Sequence, residues 1–282
     1  MFRISPDSRR RWKITMLEYG GALVIAIGIG VVASILGVGG GFLMVPAFTL
    51  LFGLDEKTAI GTSLAVIVAT SLSGAIAYSR QGRIFYRAAL VVAIPGAIGA
   101  VLGGLSTAFL SATVLAFIFA GVVIFFALMM LTGDRTLIVP LTFGPYFRER
   151  CKDRFHQCIE MRMYYLHLVL WGFVSGIVGA VCGQGGGVVN VPSLFILGMP
   201  IHFAVATSTC IIFFTSFAGA STHLLLGHIT PLFFLIFAAG GFAGAQIGSR
   251  LVPGIPAASL KKMVGLVFFA IGISVVIKTM IG

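Results

Sequence analysis

Two runs of consecutive glycines are the residues of this sequence best suited to bind a small anion. The first run, in GVGGGFLMVP, is Gly39, Gly40 and Gly41; the second, in GQGGGVVNVP, is Gly185, Gly186 and Gly187. Consecutive glycines interrupt a helix and expose backbone N–H groups, which hydrocarbon cannot satisfy. The helix amino end that follows each run would present unpaired donors and a partial positive charge. Two such ends, meeting at midmembrane, would hold an oxyanion without a buried formal charge. The alternative is close helix packing, for which glycine is also used.

Hydroxyl side chains follow each glycine run, on the opening turn of the next predicted helix. They are Thr62, Ser63, Thr207 and Ser208. Each hydroxyl can donate a hydrogen bond to an anion oxygen. The alternative is a hydrogen bond back to the preceding turn of the same helix. Both interpretations stay open at this point.

Two further polar residues interrupt the apolar surroundings of the second run, and a third, His223, lies farther along the chain. Gln184 and Asn190 are expensive groups in lipid, so we expect them to face a substrate pathway or a partner helix. His223, near the end of its span, has two interpretations, an interfacial histidine or a residue that handles protons.

The positions of these residues repeat along the chain. Residues 59–78, AIGTSLAVIVATSLSGAIAY, align with residues 204–223, AVATSTCIIFFTSFAGASTH. The alignment pairs Thr62 with Thr207, Ser63 with Ser208 and Tyr78 with His223. It predicts two homologous halves, each with one glycine break.

Apolar stretches of about 20 residues, the length that crosses a bilayer, predict the elements that position these residues. Eight candidate spans are Leu17–Leu36, Thr58–Tyr78, Ala88–Gly104, Thr107–Leu131, Tyr164–Val181, Phe203–Leu225, Pro231–Gly248 and Ser259–Ile281. The segments Phe42–Leu54 and Val188–Gly198 are shorter and predict half-helices or re-entrant segments. The predicted fold is an all-α, polytopic transmembrane bundle with two homologous repeats.

Four regions follow along the chain. They are a basic cytoplasmic tail (1–16), a first transmembrane repeat (17–131), a hydrophilic basic central loop (132–163) and a second transmembrane repeat (164–282). With the tail inside and short segments that do not cross, each half crosses four times and the halves are parallel repeats. Arg80, Arg83 and Arg87 then lie inside with the central loop, in agreement with the positive-inside rule. Five crossings would make the halves inverted repeats.

Composition excludes several classes of protein. Hydrophobic residues make up 59% of the chain and charged residues 10%, which fits a lipid bilayer and not a soluble domain. The net charge of +11 comes from residues that flank spans, so no nucleic-acid partner is expected. No span core holds Asp or Glu, which disfavours carboxylate ion relays, and no P-loop pattern is present. Cys151, His156 and Cys158 lack a fourth zinc ligand, so we expect no metal and no cofactor.

The motif GVGGGFLMVP with AIGTSL, echoed by GQGGGVVNVP with AVATST, resembles the TauE/SafE family of sulfite exporters, also called TSUP transporters. The resemblance extends from about residue 21 to residue 281. It implies a multi-pass permease of the bacterial inner membrane that moves sulfite or organosulfonates, with residues 39–41 and 185–187 along the substrate path.

The sequence therefore predicts a secondary transporter that moves sulfite, thiosulfate or an organosulfonate such as sulfoacetate by alternating access. A saturation test separates this function from an anion channel. An intramembrane enzyme that uses Ser208 and His223 is disfavoured, because about 22 Å of helical rise separates them. A homo-oligomer is left open.

Overall fold

The computed structural model describes residues 6–107, 112–132, 144–154 and 158–281. Among these residues, the structure describes the side chains of all except 6–19, 112–116, 118, 119, 122 and 278–281. Ten helices have these bounds: α1 Pro6–Leu36, α2 Gly41–Pro46, α3 Glu56–Gln81, α4 Tyr86–Ser106, α5 Ala112–Thr132, α6 Tyr165–Val181, α7 Gly187–Ile196, α8 Ile201–Leu225, α9 Pro231–Leu251 and α10 Ala257–Ile281. Two strands, β1 Tyr146–Lys152 and β2 Cys158–Tyr164, lie between α5 and α6.

The helical membrane fold predicted from composition is confirmed. The eight predicted spans correspond to α1, α3, α4, α5, α6, α8, α9 and α10. Within the described residues, five helical stretches are long and apolar enough to cross a membrane: Glu56–Gln81, Tyr86–Ser106, Ile201–Leu225, Pro231–Gly254 and Ala257–Ile277. Large apolar side chains such as Ile94, Phe217 and Leu235 lie exposed on the outer faces of the helices, as a lipid-facing bundle requires. α1 begins at Pro6, within the predicted tail.

Each predicted short segment forms a helix directly after its glycine run. α2 continues into a π-helical turn at Ala47–Leu51, and a proline interrupts the helical hydrogen bonding at Pro46 in α2 and at Pro192 in α7. At each run the chain therefore changes direction at the glycines, and a proline lies within the short helix that follows.

The packing of glycines against neighbouring helices gives the direction of each helix. Along α1 and α9, residue 23 packs near Gly240, residue 27 near Gly244 and residue 31 near Gly248, so these helices run the same way. α3 and α8 run in opposite directions, because Gly61 packs near His223, Leu64 near Gly219 and Gly74 near Thr209.

The prediction of parallel repeats with four crossings per half is therefore wrong. The internal alignment pairs α3 with α8, and these two helices run antiparallel. α1 and α3 both run parallel to α9, as the contacts of Thr70 with Gly241 and of Gln81 with Ser249 show for α3. The glycine break and α2 must consequently return the chain to the end of the bundle where α1 began. Oppositely directed α3 and α8 are the arrangement expected of inverted repeats with five passes each.

A β-hairpin occupies part of the region that we predicted as a hydrophilic loop. β1 and β2 are antiparallel, with Tyr146 opposite Tyr164 and Lys152 opposite Cys158. Alternate side chains, among them Phe147, Cys151, Met161 and Met163, face the protein and are buried. Residues 133–143 and 155–157, including His156 of the considered zinc set, lie outside the described residues.

The hairpin docks on the turn between α3 and α4, which defines the hairpin end of the bundle. Asp153 forms a buried ion pair with Arg83 at 3.2 Å. The two Glu149 carboxylate oxygens accept hydrogen bonds from the backbone N–H groups of Arg87 and Ala88, where a helix amino end favours negative charge. Two docking contacts, one charged and one helix-capping, fix the hairpin over the bundle.

Candidate anion site at the paired glycine breaks

Both glycine breaks adopt left-handed backbone conformations just before a helix. The φ angles are +84° at Gly39 and +88° at Gly40, and +67° at Gly185 and +84° at Gly186. L side chains rarely adopt this region, which explains the residue type at these four positions. The first helical hydrogen bonds in each short helix are accepted by Gly40 and Gly186, so residues 41, 42, 187 and 188 have N–H groups without a partner inside their helix.

The two breaks contact each other in the centre of the bundle. A side chain at Gly41 would collide with the backbone of Gly183 and Gln184, and one at Gly187 would collide with the backbone of Val38. The sequence prediction that the two glycine runs are neighbours is thus met by direct backbone contact. Glycine serves both of its predicted purposes here, because it bends the chain and permits the close approach.

Two isoleucines close the space around the breaks. A side chain at Gly39 would lie 3.0 Å from Ile67 and 3.1 Å from Ile212, and one at Gly185 would meet the same two residues. Ile67 and Ile212 lie near the middle of α3 and α8. The breaks therefore meet about halfway through the bundle, in a closed arrangement.

The serine hydroxyls tie each half to the break of the other half. Ser63 Oγ donates to the carbonyl oxygen of Gly183 at 2.8 Å, and Ser208 Oγ donates to the carbonyl oxygen of Gly37 at 2.8 Å. Ser63 and Ser208 are aligned positions, as are Gly37 and Gly183. Each serine hydroxyl therefore donates to a backbone carbonyl of the opposite half, and not to the preceding turn of its own helix.

The threonine hydroxyls act in the same reciprocal manner at the helix ends. Thr62 Oγ1 accepts from the Thr230 backbone N–H at 3.0 Å, and Thr207 Oγ1 accepts from the Phe85 backbone N–H at 3.2 Å. Thr230 and Phe85 are the residues that precede α9 and α4. Each threonine therefore holds the beginning of a helix in the other half.

Gln184 and Asn190 carry polar atoms that lack partners among the described residues. The Oε1 atom of Gln184 and both amide atoms of Asn190 are buried without a hydrogen bond. An unsatisfied buried polar group costs about 1–3 kcal/mol, so such groups mark places where water or a ligand binds. Of these atoms only Asn190 Nδ2 can donate to an anion, since the amide oxygens of Gln184 and Asn190 are acceptors. Asn190, just after the second break, is therefore the better candidate to contact a bound anion.

His223 is fully buried at the end of the bundle opposite the hairpin. Its Nδ1 atom lies 3.4 Å from Nδ1 of His228, and its Nε2 atom has no partner among the described residues. This burial argues against an exposed interfacial histidine, while a role in proton handling remains a prediction.

His167 is a buried polar residue that the sequence analysis passed over. It lies in α6 beside Trp171, is 1% exposed, and neither ring nitrogen has a partner among the described residues. The signal was present, since an ionisable residue within an apolar span is a functional candidate. His, Cys, Asp and Glu form no group of three suited to a metal in the described part of the chain.

Comparison of the sequence with known proteins identifies the family of the chain. The sequence model of the sulfite exporter TauE/SafE family matches residues 22–275. The chain belongs to this family. Its members are transporters and not enzymes, which disfavours the intramembrane reaction considered for Ser208 and His223. The membrane-length apolar helices among the described residues agree with a multi-pass membrane protein.

Three similar proteins are named as probable membrane transporters, and each matches a shorter part of the chain. The chain is 33% identical over 101 residues to the probable membrane transporter protein YunE of Bacillus subtilis, a match that covers 36% of this chain and 37% of the relative. It is 35% identical over 118 residues to the probable membrane transporter protein YdhB of the same organism, with 41% and 46% covered. A probable membrane transporter protein of Haemophilus influenzae is 32% identical over 109 residues, with 36% and 40% covered. The matches span less than half of each relative, and no solved structure matches the chain.

Proposed function

We propose that this protein is a secondary transporter that moves a small sulfur-containing anion across the bacterial inner membrane by alternating access. The substrates that fit the family and the site are sulfite, thiosulfate and organosulfonates such as sulfoacetate. One observation carries the proposal: two glycine breaks, one from each half, contact each other in the middle of the bundle.

The site would hold an anion with neutral donors. Backbone N–H groups at residues 41, 42, 187 and 188 begin two short helices, where the helix dipole favours negative charge. The Asn190 amide nitrogen adds a buried donor that has no partner among the described residues. Neutral donors bind an anion without the cost of burying a lysine or arginine in the membrane, and they release it more readily. Thr62, Ser63, Thr207 and Ser208 would contribute once their bonds to the opposite half open.

The closed contact at the breaks supports alternating access over a channel. A channel requires a continuous path, whereas here Ile67 and Ile212 flank both breaks. Antiparallel α3 and α8 provide the geometry for transport, because two oppositely oriented halves can open a central site first to one side and then to the other. The bonds from Ser63 and Ser208 would break and re-form during that motion.

Charge favours a cytoplasmic hairpin end. Basic residues gather there from the region of the α3–α4 turn, from the hairpin, and from the end of α9 and the beginning of α10: Arg80, Arg83, Arg87, Arg148, Arg150, Lys152, Arg154, Arg162, Arg250, Lys261 and Lys262. By the positive-inside rule this end faces the cytoplasm. α1 begins at the opposite end, so the predicted cytoplasmic location of the basic tail conflicts with this orientation. The larger cluster of basic residues supports the orientation with the hairpin in the cytoplasm.

Flux in proteoliposomes tests the proposal. Purified protein should transport labelled sulfite, thiosulfate or sulfoacetate with saturation, and an imposed pH gradient should reveal proton coupling. Gly186→Ala should abolish flux, because Gly186 combines a φ of +84° with contact to the Ser175 carbonyl. The control is Gly227→Ala, at a φ of +73° with open space around it, which should retain flux. Equal activity of both variants, each correctly folded, would contradict the assignment of the second break.

A further inference from the structure

A basic cavity lies at the hairpin end, away from the glycine breaks. It has a volume of about 220 Å³ and opens between the ends of α3 and α9. Six residues line it: Ala77, Arg80, Gln81, Arg154, Gln246 and Arg250. Arg80 follows Ile67 by 13 residues on α3, so the cavity is about 20 Å along that helix from the breaks.

The three arginines of the cavity have no acidic neighbour in its wall. The acidic groups of the nearby hairpin are engaged elsewhere: Asp153 with Arg83, Glu160 with Arg150 and Arg148, and Glu149 with the amino end of α4. Within the described residues, no ion pair involves Arg80, Arg154 or Arg250. The three arginines are exposed residues that line one space, and their like charges repel each other unless an anion lies near them.

Hydrogen bonds to the surrounding backbone hold the cavity walls in place. Gln81 Nε2 donates to the Ser249 carbonyl at 2.8 Å, and the Arg154 backbone N–H donates to the Gln81 carbonyl at 3.0 Å. Gln246 Nε2 donates to the Ser73 carbonyl at 2.9 Å. The wall is therefore preformed, and three separate elements deliver the arginines to it: α3, α9 and the segment after β1.

We propose that Arg80, Arg154 and Arg250 bind a phosphate-type oxyanion in this cavity. The planar guanidinium group donates two parallel hydrogen bonds, which matches the oxygens of a tetrahedral oxyanion. The ligand has two possible sources, the phosphate of an anionic lipid headgroup or a soluble phosphate or sulfate ion. Both present the same chemistry to the arginines.

The surroundings of the cavity allow either source. Ile247 and Leu251, on the same stretch of α9, are about half exposed, as expected next to lipid. A second cavity of about 300 Å³ shares Arg80 and is otherwise lined largely by apolar groups, among them Ile76, Ile84 and Cys210. An acyl chain would find apolar contacts there, whereas a soluble ion would use the arginines alone.

Two measurements on the purified full-length protein test this site. In the first, thermal unfolding is followed while sodium phosphate or sodium sulfate is added, with sodium chloride at equal ionic strength as the reference. In the second, native mass spectrometry compares retention of phosphatidylglycerol with retention of phosphatidylcholine. Each is repeated on Arg80→Gln, Arg250→Gln and Arg154→Gln. The matched control is Arg148→Gln, an exposed hairpin arginine that does not line the cavity.

The wild-type protein should bind at least one of the probes, and each cavity variant should bind it about tenfold more weakly, the scale of a charge-assisted hydrogen bond. Stabilisation by phosphate or sulfate alone assigns a soluble ion. Retention of phosphatidylglycerol over phosphatidylcholine assigns a lipid headgroup. The proposal is overturned by wild-type protein that responds to neither probe, or by an equal loss in Arg148→Gln. Single variants keep two of the three arginines, and the wild-type comparison is informative even where a variant fails to fold.

Discussion

Ser63 Oγ lies 2.8 Å from the carbonyl oxygen of Gly183, 120 residues further along the chain, and donates a hydrogen bond to it. Ser208 repeats the contact in the opposite direction with Gly37. A hydroxyl from each half thus satisfies a carbonyl that the break in the other half leaves outside a regular helix. Each glycine break is therefore stabilised by a serine of the opposite half, and these bonds link the two breaks that form the proposed site.

Ser63→Ala and Ser208→Ala should each destabilise the protein by about 1–3 kcal/mol, since a buried carbonyl loses its partner. Thermal unfolding in detergent measures the effect. The matched control is Ser71→Ala, an equally buried serine that donates only within its own helix, to Ile67 and Val68. Its loss should be smaller, because that carbonyl keeps its helical bond. Equal losses at all three positions would contradict the special role of the cross-half bonds.

Asn190→Leu separates stability from function. Replacing a buried, unpartnered amide by an apolar side chain of similar size should leave the free energy of unfolding unchanged or raise it. Transport affinity should fall, because the proposed donor is lost.

The control for this substitution is Met44→Leu at the aligned position of the first break. It should preserve both stability and transport, as swaps of similar volume do. If Asn190→Leu strongly destabilises the protein and leaves the transport affinity unchanged, Asn190 has a structural role and does not bind the anion.

Asp153→Asn should loosen the hairpin from the bundle. The Asp153 carboxylate is fully buried against the 5%-exposed Arg83 side chain, so removing its charge should cost on the order of 3 kcal/mol. Limited proteolysis within residues 144–164 measures the loosening. Glu160→Gln, in an exposed ion pair with Arg150, is the control and should change little. A protease-resistant Asp153→Asn hairpin would show that other contacts suffice.

Cysteine labelling tests which side the hairpin faces. In a variant with Cys182→Ala and Cys210→Ala, a membrane-impermeant maleimide should modify the exposed Cys158 from the cytoplasmic side. Cys151 should stay unmodified near pH 7.5, because burial and the nearby Glu149 carboxylate raise the pKa of its thiol to about 11. Its reaction should increase only as the pH approaches that value, where the thiolate forms.

Lys57→Cys, added to the same variant, provides the opposite-side control. Lys57 is exposed at the beginning of α3, at the other end from the hairpin. It should react only from outside. Labelling of residues 57 and 158 from one side would contradict the helix directions described above.

The sequence predicted most of the helices because hydropathy over about 20 residues depends on composition alone. It predicted the breaks because three consecutive glycines, repeated before a short apolar segment, favour an interrupted helix over the alternative of close helix packing. The sequence did not predict helix direction, because the positive-inside rule placed the basic tail inside and the lengths of α2 and α7 predicted segments that do not cross. The contacts of α1 and α3 with α9, and of α3 with α8, reveal the helix directions, and these contacts exist only in three dimensions.

The remaining differences also have physical causes. The hairpin escaped notice because its alternation of buried and exposed side chains has a period of two, which a search for long apolar spans ignores. The partners of Ser63 and Ser208 are remote in sequence, so local reasoning offered only the preceding turn or a ligand. His167 was missed although a histidine in an apolar span is a visible signal.

The measurement that tests the central claim most directly is counterflow of labelled sulfite into proteoliposomes preloaded with unlabelled sulfite, thiosulfate or sulfoacetate. A carrier with one central anion site should show saturable uptake that internal substrate accelerates, and Gly186→Ala should abolish that acceleration while Gly227→Ala keeps it. Uptake that rises linearly with concentration and ignores internal substrate, or full counterflow in Gly186→Ala, would contradict the account.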